Sequence, residues 1–176
     1  AGMFYNEELF TQAGVDSFPA TWEEFYACCD KLKEKGITPL ALHTEGTGWT
    51  PMLIATAAVA EDPEGADFMR RMLPESYDNP SGYKLAATLQ KLFTYTTEDA
   101  LHVDYNVAYS NFFSGKAAML ANGYWLIDQI PDGWEDKVRF AAFPQRTMVA
   151  SPETFGWAVV STYSDEVKEA AVEFLK

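Results

Sequence analysis

Trp125 and Trp49, with the glycine-containing segments that precede them, are the residues of this chain best placed to do chemistry. Trp125 follows Asn122-Gly123, just past the apolar run Ala117 to Ala121, which has the length of a short buried strand. Open α/β sheets meet their ligands beyond the carboxyl ends of their strands. A Trp at that position is either core or a flat apolar platform for a ligand. Trp49 ends the polar run His43-Thr44-Glu45-Gly46-Thr47-Gly48, which also follows a strand and precedes a helix. It is either a packing residue or a binding residue on a strand-end loop.

Other chemistries find little support. There is no Gly-x-Gly-x-x-Gly, no Gly-Lys-Ser/Thr and no Gly-x-Ser-x-Gly, so no phosphate cradle or nucleophile elbow is expected. With 26 acidic residues, some pair of carboxylates could always be proposed, and such a pair carries no information. His43, His102, Cys28 and Cys29 have no zinc-site spacing, so neither a metal nor another cofactor is expected. Cys28 and Cys29 are helical neighbours pointing about 100° apart, poor geometry for a disulfide, and read as two buried thiols. The formal net charge of −13 disfavours nucleic acid and anionic membrane, which attract basic surfaces, and agrees with a neutral or cationic ligand. No apolar run reaches the roughly 18 residues of a membrane span.

These residues need elements to position them. The chain is 176 residues long and 48% hydrophobic, enough for one core: a single domain, or one lobe of a larger protein. Phe4-Tyr5-Asn6 leads into a helical turn over Glu7 to Phe10. Thr21 and Glu24 form a capping box. The helix behind it turns Trp22, Phe25, Tyr26, Cys29 and Leu32 to one face. Lys31, Lys33 and Lys35 oppose its dipole, and Gly36 ends it. Ile37 to Leu42 reads as a strand. Thr50-Pro51 reads as an N-cap with Pro at the first helical position, opening an apolar helix over Met52 to Ala60. Asp62-Pro63-Glu64-Gly65 reads as a break, followed by helices over Ala66 to Met72 and Gly82 to Tyr95. The second of these presents Leu85, Ala86, Leu89, Leu92 and Phe93. Tyr105, Ala108, Tyr109, Phe112 and Phe113 form an aromatic stripe assigned to the core. Gly115 sits where a left-handed residue closes a helix. Asn122-Gly123 reads as a turn before a new helix led by Tyr124 and Trp125. Val138 to Phe143 and Phe155 to Ser161 read as strands. Ser164 caps a last helix with Val167, Ala170, Ala171, Phe174 and Leu175 inward.

Four blocks stand out in their order. They are Tyr5-Asn6-Glu7-Glu8-Leu9-Phe10-Thr11-Gln12-Ala13-Gly14, Pro19-Ala20-Thr21-Trp22-Glu23-Glu24-Phe25, Phe113-Ser114-Gly115-Lys116-Ala117-Ala118-Met119 and Asn122-Gly123-Tyr124-Trp125. Together they resemble the extracellular solute-binding proteins of ABC importers, in the carbohydrate-binding, maltose-binding-protein-like branch. The resemblance spans nearly the whole chain.

It implies an α/β lobe of a type II periplasmic-binding-protein fold, a small mixed sheet flanked by helices. Residues 1–154 would be the second lobe. Residues 155–176 would be the returning hinge strand and the first helix of the other lobe. Two such lobes close on a sugar. The site expected by resemblance comprises Trp125, Trp49, Gly156 and Trp157, with His43 and Glu45 as polar partners. A pyranose has an apolar C–H face for an aromatic plane and hydroxyls for Asn, Asp, Glu or His. The implied location is extracytoplasmic, in the periplasm or lipid-anchored on the outer face of the cell membrane. The implied partners are a carbohydrate and membrane permease subunits, with no nucleic acid. No enzyme activity is implied. Pairing of two copies through the last helix is a further expectation. Two alternatives remain: a carbohydrate-processing enzyme with aromatic subsites, and an amino-acid or peptide receptor, which would want a charged clamp at the ligand.

Overall fold

The computed structural model describes residues 1–71, 73–149 and 158–175. A four-stranded mixed sheet in the order β2-β3-β1-β4 carries the fold. The strands are β1 Gly2–Asn6, β2 Thr38–Leu40, β3 Ala117–Asn122 and β4 Val138–Ala141. β2 runs parallel to β3, while β1 lies antiparallel to both β3 and β4, with Phe4 opposite Leu120 and Phe140. The α/β class and the mixed sheet agree with expectation.

Neighbouring strand residues point to opposite faces of a sheet, and the core divides accordingly. Met3, Met119 and Ala121 join one cluster with Phe25 of α2 (Trp22–Glu34), Ile54 of α3 (Trp49–Val59) and Leu85 and Leu92 of α5 (Pro80–Leu92). Phe4 and Leu120 join the other with Ala108, Phe112 and Phe113 of α6 (Tyr105–Phe113). All six residues of β3 are buried, as an apolar strand covered on both faces requires.

Several local expectations hold. Thr21 Oγ1 accepts from Glu24 N at 3.2 Å, and Glu24 Oε2 accepts from Thr21 N at 3.1 Å, completing the capping box of α2. Trp22, Cys28 and Cys29 are buried, and both thiols are free. Burial raises the Cys28 pKa to about 11 and that of Cys29 further, so neither is a ready nucleophile. Gly115 has φ +75°, the left-handed value that closes α6 without steric cost.

The corrections share a cause: caps and edge pairing move boundaries. Gly2–Asn6 is a strand, bonded on both sides, where only a lead-in was expected. Asp62 and Asn79 cap helices through Gly65 N and Gly82 N, so Pro63 begins α4 (Pro63–Arg70) and Pro80 begins α5. Pro63 therefore starts a helix rather than merely breaking one. On α5, Ala86 is exposed, and Gly82 and Thr88 are buried with Leu85 and Leu92. β3 extends through Asn122, and the segment beyond it is a 3₁₀ helix, Tyr124–Gln129. β2 and β4 are shorter than expected.

The expected strand over Phe155 to Ser161 falls partly outside the described residues. Ala158 to Ser161 are not in a strand. α7 (Asp165–Phe174) is capped as expected, Ser164 Oγ accepting from Val167 N at 3.4 Å. Its supposed inward face is not inward: α7 buries no residue, and Phe174 is 88% exposed. An amphipathic helix gains most of its stability from packing that stripe, and no described element covers it.

Candidate functional site

Three segments converge at the carboxyl ends of the parallel strands β2 and β3. The first leaves β2. His43 is buried there, and its Nδ1 lies 2.8 Å from Thr50 Oγ1. The loop after it is tied to the approach to α6: Glu45 N donates to Val103 O at 3.0 Å and Thr44 Oγ1 to Ala100 O at 3.2 Å. Gly48 then turns the chain at φ +55° and stands as the N-cap of α3. Trp49 is therefore the first residue of a helix, half-buried, rather than a loop residue. Thr50, expected as the cap, is buried inside the helix and spends its hydroxyl on His43. Glu45 is exposed at the rim.

The second segment is the start of α6. Asp104 caps it, its Oδ1 accepting from Asn106 N and Val107 N. This places Tyr105 on the first turn, with its ring 5.0 Å from Trp49 and 5.8 Å from His43. The third segment leaves β3. The Asn122 side chain is fully buried; its Nδ2 donates to Tyr105 Oη at 2.7 Å, and its Oδ1 accepts from Gly123 N at 2.8 Å. Trp125 follows, 39% exposed, its ring 6.4 Å from Trp49 at an interplanar angle of 64°.

The result is an aromatic corner of Trp49, Tyr105 and Trp125, with the polar groups of His43 and Asn122 against it. Burial lowers the His43 pKa, with the Asp104 carboxylate acting the other way. Burial also raises the Tyr105 pKa. Both shifts favour the neutral forms, so the corner carries no charge from these two groups. Among the described residues, no group of three or more His, Cys, Asp or Glu is arranged to hold a metal ion. Such a corner can stack on an apolar face and hydrogen-bond its edges.

Of the site residues expected from sequence, His43, Trp49 and Trp125 come together. Glu45 stays at the rim. Gly156 and Trp157 lie outside the described residues. Tyr105 and Asn122 were missed as site residues. Tyr105 was assigned to a core stripe, but the stripe divides: Ala108, Phe112 and Phe113 are buried, while Tyr105 and Tyr109 are only partly so. The available signal was order along the chain. A helix leading into a strand doubles back along it, so the first turn of that helix lies near the strand's far end.

Residues 1–176 match the family model of the bacterial extracellular solute-binding proteins. An uncharacterized ABC transporter extracellular-binding protein of Pyrococcus horikoshii is 27% identical over 146 residues, covering 81% of this chain and 33% of that protein. A probable sugar-binding periplasmic protein of Brucella suis is 29% identical over 127 residues, 70% of this chain and 29% of its own length. Among solved structures, a chitin oligosaccharide binding protein is 29% identical, with a TM-score of 0.70 over 84% of this chain and 38% of that one. A Streptococcus pneumoniae solute-binding protein in complex with the blood group A-trisaccharide gives a TM-score of 0.76 over 99% of this chain and 44% of that one, at 19% identity, a likeness of fold. The chain spans about a third of the length of these curated relatives. By its matched length and by its fold, it belongs to the bacterial extracellular solute-binding protein family.

Proposed function

We propose that the whole protein captures a neutral sugar or oligosaccharide outside the cytoplasm and delivers it to the permease of an ABC importer. The observation that carries this reading is the strand-end corner of Trp49, Tyr105 and Trp125, with His43 and Asn122 beside it. The Trp125 plane would take the C–H face of a pyranose, and the half-buried Tyr105 hydroxyl and the exposed Glu45 its hydroxyls, with the buried His43 and Asn122 holding the rings in place. Residues 1–154 would supply one wall of the cleft. Residues 155–176 would return the chain to the opposite lobe, an assignment that the uncovered face of α7 supports. Gly156 and Trp157 are assigned to the rim by resemblance alone. Among the described residues the corner has no charged clamp for an anionic ligand, which favours neutral sugars over uronates and over amino acids. The probable sugar-binding periplasmic protein and the chitin oligosaccharide binding protein named above agree with a carbohydrate ligand.

Calorimetry on the full-length protein tests the reading. Neutral oligosaccharides should bind at micromolar affinity and be recovered intact after incubation. Binding of peptides but of no sugar would overturn the reading, and cleavage of the glycan would favour an enzyme.

A further inference from the structure

Gly123 has no side chain where the Trp125 indole lies. A Cβ there would stand 2.3 Å from Cη2 and Cζ3 of Trp125 and 2.6 Å from its Cε3, well inside the 3.5–4.0 Å at which carbon atoms rest. The backbone does not call for glycine. Its φ of −99° and ψ of 177° are extended values open to any residue. Empty volume is therefore what the position supplies. Nor is its main chain loose. Gly123 N donates to Asn122 Oδ1, and the same buried side chain donates through Nδ2 to Tyr105 Oη.

We propose that Gly123 is the positioning residue of the aromatic corner. By leaving its own volume empty it seats the Trp125 indole on the main chain, and Asn122 locks that seat to Tyr105. The proposal rests on the reading of the corner as a sugar site. Any side chain at 123 must move the indole off its seat. The angle between Trp125 and Trp49, and with it the shape offered to a sugar ring, is then set by a residue that touches no ligand.

Because the main-chain angles suit alanine, Gly123→Ala isolates the volume effect. Fluorotryptophan is incorporated into the full-length protein, and each indole resonance is assigned by a single Trp→Phe replacement. Gly123→Ala should move the fluorine resonances of Trp125 and its neighbour Trp49 and leave that of Trp22, in the core on α2, in place. The unmoved Trp22 signal also reports an intact fold. Where the Cβ is tolerated poorly, the double variant with Trp125→Ala has room for it and recovers folding. Sugar binding by the unaltered protein, measured in parallel on neutral oligosaccharides, tests the functional reading separately. If none binds, that reading fails while the fluorine spectra still decide the seat. Given binding, Gly123→Ala should weaken affinity about tenfold or more, the scale of losing an aromatic anchor, and should add nothing once Trp125 is alanine. An unmoved Trp125 resonance, an unchanged affinity, or an equal loss in the Trp125→Ala background overturns the proposal.

Discussion

Two tryptophans of this chain sit in contrasting surroundings. Trp22 is 8% exposed and wedged against Phe25 and Tyr26, whereas Trp125 is 39% exposed at the strand ends. Trp22→Ala should cost about 3–5 kcal/mol of stability, as core aromatics do, and leave ligand preference unaltered. Trp125→Ala should weaken sugar binding by roughly 1–3 kcal/mol, by analogy with interface anchors, with a smaller loss of stability than Trp22→Ala. Paired melting curves and calorimetry check both; a collapsed fold with intact affinity in Trp125→Ala would make it a core residue. His43 adds a pH dependence. Burial, opposed by Asp104, holds its folded pKa below the ordinary 6.5. As pH falls, the unfolded chain therefore takes up its proton first. The stability tied to neutral His43 is full above about 6.5 and is lost as pH falls through the depressed folded value. Proton-exchange-resolved NMR should place the His43 midpoint below 6.5, and His43→Asn should flatten the melting temperature below that pH. A midpoint above 6.5 would remove the argument.

At the scale of elements, β3 and the 3₁₀ helix after it depend on one buried amide. Asn122 joins the end of β3 to the start of α6 by satisfying Gly123 N and Tyr105 Oη together. Asn122→Ala would leave a buried donor and a half-buried hydroxyl without it. The expected cost is about 1–3 kcal/mol, the penalty of unmet buried polar groups. Sugar affinity should fall as well, because Tyr105 loses its anchor; denaturant melts and calorimetry report the two effects. Stability equal to wild type would mean that the amide does not join these elements. The elements themselves were legible where the signal is local. The capping box at Thr21 and Glu24, the left-handed Gly115 and the apolar run of β3 all follow from short-range chemistry. β1 was not legible: Met3, Phe4 and Tyr5 show no clean alternation, and their strand exists because β3 and β4 pair with it from both sides. Half of the corner was legible for the same reason. Trp125 and Trp49 announce themselves beside glycine at strand ends, whereas Tyr105 lies on a helix and reaches the corner through contacts with residues far from it in sequence, Trp49 and Asn122.

At the scale of the whole molecule, the affinity depends on how many walls the site has. On the proposed reading, the corner of Trp49, Tyr105 and Trp125 would line one side of a ligand. A sugar held there alone keeps much of its surface in water, while small-molecule sites usually bury about 70–90% of it. α7 points the same way, because Val167 and Phe174 of its apolar stripe lie exposed where another surface would cover them. The 176 residues by themselves have a sheet covered on both faces and should fold. They should bind sugar poorly. Halving the contacts of a site worth about −8 kcal/mol at micromolar affinity leaves roughly −4, a millimolar interaction. Calorimetry with mono- and oligosaccharides should therefore find the 176-residue chain near millimolar and the full-length protein near micromolar. Micromolar binding by the shorter chain would mean that one wall suffices and that closure between two lobes is not how this site holds its ligand.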